Sequence, residues 1–95
     1  MEKTQRLFLE KARAIRTLLC LLRYENRGLD ELLELIGGSK STGMKRIIEL
    51  IEMGLVEKKA SIKESRKMLY LLTPKGKQIA QMLQKIVNSI EDLRK

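Results

Sequence analysis

Apolar side chains in residues 5–25 fall at Phe8, Ala12, Ile15, Leu19 and Leu22, a 4-3-4-3 spacing that keeps one face of a helix apolar. Leu7, Ala14, Leu18 and Leu21 widen that face. The pattern predicts a first helix over 5–25, stopped by Asn26-Arg27-Gly28 because glycine accepts the left-handed conformation that helix ends often need. Asp30 is placed to cap a short second helix carrying Leu32, Leu33 and Ile36, which Gly37-Gly38 ends. Ser39 or Ser41 caps a third helix, whose apolar Met44, Ile47, Leu50 and Ile51 recur at helical spacing until Gly54. Gly43 stands inside that helix, where it costs roughly 1 kcal/mol against alanine; close approach to the second helix or to DNA would compensate, and close packing on the second helix is the favoured reading.

Beyond Gly54 the period changes. Leu55-Val56-Glu57-Lys58-Lys59 and Lys67-Met68-Leu69-Tyr70-Leu71-Leu72 have strand length, and the polar segment 60–66 joins them into an antiparallel hairpin with a basic tip. Thr73 and Pro74 then open a last helix, the threonine as cap and the proline in the first helical position, where its missing N–H costs nothing. The expected fold is mostly α with one small β-hairpin, in the order α-α-α-β-β-α. It forms a single domain with a helix-turn-helix over about 29–54, a hairpin over about 55–73 and a long helix over about 74–94.

The last helix repeats the 4-3-4-3 spacing at Ile79, Leu83, Ile86, Ile90 and Leu93, a heptad seam with Ala80 and Val87 beside it. Part of that stripe must cover the domain's own core. The rest suggests a two-fold homodimer through the first and last helices, with Phe8, Ile15, Ile79, Leu83, Ile86, Ile90 and Leu93 as candidate interface residues.

Composition removes several classes of function. Ninety-five residues allow one domain, with a core of aliphatic side chains because aromatics are 3% of the chain. With no histidine and one cysteine, zinc sites and histidine-dependent catalysis lose their usual groups, so neither an enzyme nor a metal or other cofactor is expected. Cys20, inside the apolar run 18–22, reads as a buried structural thiol. That run is far shorter than the roughly twenty residues of a membrane span, and the polar first residues do not resemble a signal peptide, so a cytoplasmic protein with no membrane partner is expected. No feature points to an effector pocket.

The net charge of +8 is unevenly placed, with ten basic and four acidic side chains in residues 39–77. Such concentration invites a polyanion. The third helix holds Lys40, Ser41, Thr42, Lys45 and Arg46 near its start, and the hairpin holds Lys58, Lys59, Lys63, Arg66 and Lys67. A major groove about 12 Å wide admits one helix, with Arg46 or Lys45 able to pair with guanine and Thr42 able to touch a thymine methyl. Lys40 and Lys45 serve equally as phosphate contacts.

The run Ser39-Lys40-Ser41-Thr42-Gly43-Met44-Lys45-Arg46, continuing to Gly54-Leu55-Val56, resembles the recognition helix and following strand of MarR- and PadR-like regulators. Arg66-Lys67 followed by Tyr70-Leu71-Leu72-Thr73-Pro74-Lys75-Gly76 is similar to the returning wing strand and last-helix start of the same families. The resemblance covers about residues 28–77. It implies a winged helix-turn-helix that binds double-stranded DNA as a homodimer and regulates transcription in the nucleoid, as some archaeal winged-helix proteins with C-terminal coiled coils also do. A winged-helix module that docks on protein and a non-specific architectural chromatin protein are the competing readings.

Overall fold

The computed structural model describes residues 7–94. A 3-10 turn at Phe8–Glu10 precedes α1 (Ala14–Arg23), α2 (Leu29–Ile36) and α3 (Lys40–Glu52). The antiparallel strands β1 (Val56–Ala60) and β2 (Met68–Leu72) follow, and α4 (Pro74–Leu93) closes the chain.

The first helix departs from its expected span. Within the described residues it starts at Ala14, because Lys11 is extended and Arg13 takes the left-handed conformation with φ of 68°. Residues 5 and 6 lie outside the described residues. Glu10 folds its own carboxylate back onto the Leu7 N–H at 2.8 Å, which closes a separate turn. Lys11 reaches Glu49 on α3, and the Arg13 guanidinium lies against Gly38, so tertiary contacts interrupt a stripe that periodicity alone would continue. Phe8 still packs on the core, whereas Ala12 is exposed.

Two caps also differ from expectation. Asn26, with φ of 58°, supplies the left-handed turn after α1, while Gly28 is extended and precedes α2. Asp30 falls inside the first turn of α2, where its charge suits the positive end of the helix dipole. Ser39 caps α3 by accepting the Thr42 N–H at 3.1 Å, and Gly43 is buried so closely on α2 that an added Cβ would stand 2.8 Å from Leu33 Cδ2. The close approach expected of Gly43 is therefore present.

In the hairpin Val56 faces Leu72, Lys58 faces Tyr70 and Ala60 faces Met68. The outer edge of β2 meets the α1–α2 connection, where the Tyr70 N–H donates to the Arg27 carbonyl at 2.9 Å. Thr73 joins three elements: its hydroxyl accepts the Gly76 N–H at 3.1 Å and donates to the Gly54 carbonyl at 2.8 Å. Leu18 and Leu21 of α1, Leu32 and Ile36 of α2, Ile47 and Leu50 of α3, Val56 and Leu72 of the sheet, and Ala80 and Leu83 of α4 form one aliphatic core. The buried residues of α4 are Gly76, Ala80 and Leu83, all in its first half. Its second half runs on with Ile86, Ile90 and Leu93 exposed.

Candidate nucleic-acid interface

Helical geometry divides α3 into two faces. Gly43, Ile47 and Leu50 are buried, and Ser41, Lys45, Ile48 and Glu52, spaced four, three and four apart, are exposed beside exposed Lys40. Thr42 is half-buried, and its hydroxyl lies 3.1 Å from Ser39 Oγ in the capping network. Ile48 joins this exposed face although the distribution of charge does not point to it. The stripe 41, 45, 48, 52 would have revealed it, and an exposed aliphatic group there can meet a thymine methyl.

Arg46 is placed differently from Lys45. Its spacing makes it a candidate base reader, yet its side chain is 11% exposed and its Nε stands 2.9 Å from Glu49 Oε1, an ion pair without hydrogen-bond alignment. The other Glu49 oxygen accepts Lys11 Nζ at 2.6 Å. That hydrogen bond is the main cause that holds the Glu49 carboxyl below its ordinary pKa; partial burial opposes it, and the charges of Arg46, Lys11 and Lys45 add to it.

On the hairpin, Lys58, Lys59, Lys63 and Arg66 are exposed. Ser61 Oγ accepts the Glu64 N–H at 3.1 Å and Arg66 is left-handed with φ of 66°, which shapes the tip and leaves Ile62 projecting beside Lys63. Lys67 differs from the other four. Half-buried, it stands 3.3 Å from Glu64 and 3.9 Å from Glu31 on α2, and its alkyl chain passes over Gly28. It ties the base of the hairpin to α2 instead of presenting its charge outward.

The candidate dimer residues also separate. Leu83 is 8% exposed and Ile79 packs half-buried on the core, so both serve the protomer itself, as does Phe8. Ile86 and Ile90 are 56% and 51% exposed, with Leu93, Met82 and Ile15 exposed as well. An open groove of about 620 Å³ lies between α1, α2 and α4, walled by Ile15, Leu19 and Leu35 with Arg16, Arg23 and Gln84 at its polar side. No motif marks it, because its walls come from three separate helices. Cys20 borders the groove half-buried, 3.6 Å from the Leu35 carbonyl, and burial pushes its thiol pKa up against the pull of Arg16. No helix among the described residues is long and apolar enough to cross a membrane.

The sequence matches the family model described as methanogenesis regulatory protein FilR1, N-terminal domain, over residues 4–91. The chain belongs to the FilR1 N-terminal domain family. The structure of this FilR1-type domain is similar to Streptococcus pneumoniae FabT in complex with DNA, with TM-score 0.74, 15% identity, and coverage of 85% of this chain and 57% of that one. It is similar to the transcriptional regulator SlyA, with TM-score 0.76, 17% identity, and coverage of 92% and 63%. A MarR transcriptional regulator from Methanosarcina mazei Go1 has TM-score 0.72 and 23% identity, with coverage of 85% and 58%. At such identities the likeness establishes the fold, a winged helix-turn-helix of MarR type with a C-terminal helix. The FilR1-type chain spans about three fifths of the length of these structures. A search of curated proteins gives no match.

Proposed function

We propose that this FilR1-type domain is a transcription regulator that binds double-stranded DNA as a homodimer, with no catalytic role, in the cytoplasm and on the nucleoid. In this reading the exposed face of α3 enters the major groove, and the hairpin acts as a wing on the backbone or in the minor groove. The observation that carries it is the separation of faces on α3. Lys40, Ser41, Lys45 and Ile48 point outward from a helix whose other side is seated in the core, and the chain runs directly from that helix into a wing bearing Lys58, Lys59, Lys63 and Arg66. Ser39, Lys40 and Ser41 begin α3, so its N–H groups and dipole end favour phosphate at the same place. The fold neighbour FabT was captured in complex with DNA, which supports this use of the fold.

Exposed Ile86, Ile90 and Leu93 form an apolar stripe that a second copy would cover, and a two-fold axis would then set two copies of α3 roughly 34–36 Å apart, one turn of duplex. Salt titration of duplex affinity tests the reading. The plot of log K against log salt is expected to have a slope of roughly −6 to −10 for a dimer, since each neutralised phosphate contributes about −0.9. A slope near zero, or no duplex binding at low salt, overturns it in favour of protein docking. Selection from a randomised duplex pool is expected to enrich a palindrome, whereas even recovery would mark an architectural protein.

A further inference from the structure

Lys11 and Glu49 are 38 positions apart in the chain, and their 2.6 Å contact joins the amino-terminal segment to the third turn of α3. The same segment touches the helix-turn-helix a second time through Arg13, whose guanidinium occupies the space over Gly38 in the α2–α3 turn. Arg13 holds a left-handed backbone, with φ of 68°, that a residue with a Cβ seldom adopts. Both contacts occur where helical periodicity would have continued α1, so the interruption places one cation, Arg13, at the turn before α3 and another, Lys11, against the third turn of α3.

Glu49 is the centre of this arrangement. One carboxylate oxygen takes Lys11 and the other stands 2.9 Å from Arg46 Nε, which leaves the Arg46 side chain 11% exposed. We propose that Glu49 is a positioning residue for DNA recognition: gripped by Lys11, it holds Arg46 off the exposed face of α3 and fixes the rotation of that helix against the amino-terminal segment. The inference rests on the DNA-binding reading of α3. It also gives the amino-terminal segment, which continues into α1 and its exposed Ile15, a direct route to the groove-facing side chains. With Arg46 withdrawn, Lys45 and Ile48 are left to read the bases.

The test measures wild type and variants on two labelled duplexes at one ionic strength, a sequence recovered by selection and a scrambled version of it. The ratio of the two affinities is the readout. Glu49→Gln removes a negative charge near a polyanion, and charge alone would raise both affinities equally and leave the ratio unchanged. Positioning instead lowers the ratio by about tenfold or more in Glu49→Gln and in Lys11→Met alike, although the two variants change net charge in opposite directions. Lys11→Arg keeps the ion pair and is expected to keep the ratio. Circular dichroism follows folding, and if Glu49→Gln does not fold, Lys11→Met decides the matter. A ratio within about twofold of wild type in Lys11→Met overturns the proposal, as does a wild-type chain that binds both duplexes equally. A wild-type chain that binds neither duplex overturns the DNA reading itself.

Discussion

Lys45 and Arg46 are consecutive cations in the second turn of α3, and a rotation of about 100° between them gives them different work. Lys45 is exposed, while Arg46 turns toward Glu49. Their identities in the sequence favour arginine as the base reader, because a guanidinium is the better bidentate partner of guanine. Their positions favour lysine. Lys45→Ala is expected to weaken the preferred duplex by about 1–3 kcal/mol and to relax discrimination at one base position. Lys63→Ala on the wing is expected to weaken preferred and scrambled duplexes alike and to lower the salt slope by about 1. Fluorescence anisotropy on the two duplexes separates these patterns, and equal losses on both in Lys45→Ala would make Lys45 a phosphate contact.

The joints between elements depend on small residues with several partners. Thr73 caps α4, and its hydroxyl and N–H also fasten that helix to the turn that carries α3 into β1, through the Gly54 carbonyl at 2.8 Å and the Leu55 carbonyl at 2.9 Å. Thr73→Ala removes the cap and leaves the Gly54 carbonyl to water, a loss of about 1–2 kcal/mol of folding stability. Urea denaturation followed by circular dichroism measures it, and Thr73→Ser is expected to recover most of the loss. The cap was legible in the sequence because threonine followed by proline is a local signal. The link from Thr73 to Gly54 was not, since it joins residues 19 apart through a turn whose path depends on both helices.

Across the whole molecule, α4 ends the core at Leu83 and carries exposed aliphatic groups for nearly three further turns, at Ile86, Ile90 and Leu93. A second copy packed along this stripe would bury it and set the spacing of the two recognition helices. Ile86→Asp with Ile90→Asp is expected to yield monomers with an intact core, because neither side chain belongs to the buried cluster. Light scattering across micromolar concentrations checks this. A wild-type chain that remains monomeric, or a double variant that still dimerises, would assign the stripe another role. In the monomeric variant, affinity for a palindrome is expected to fall toward that for one half-site.

Local chemistry written in the chain was sufficient for the order of helices and hairpin, for the cap at Thr73, for narrowing the cap of α3 to Ser39 or Ser41 and for the concentration of positive charge in residues 39–77. Each depends on neighbours within a few positions or on the repeat of a helix or strand, and such signals survive in sequence. Tertiary structure decided which members of each pattern act inward and which outward. The stripe in residues 5–25 was broken because Lys11 and Arg13 found partners on α3 and at Gly38, and those partners lie more than twenty positions away. Arg46 and Lys67 were drawn from the list of outward-facing cations by Glu49, Glu31 and Glu64. Leu83 was drawn from the seam by the core. A helical period states which side chains share a face, but the depth of that face in the molecule depends on what packs against it, and that is fixed only when the elements meet.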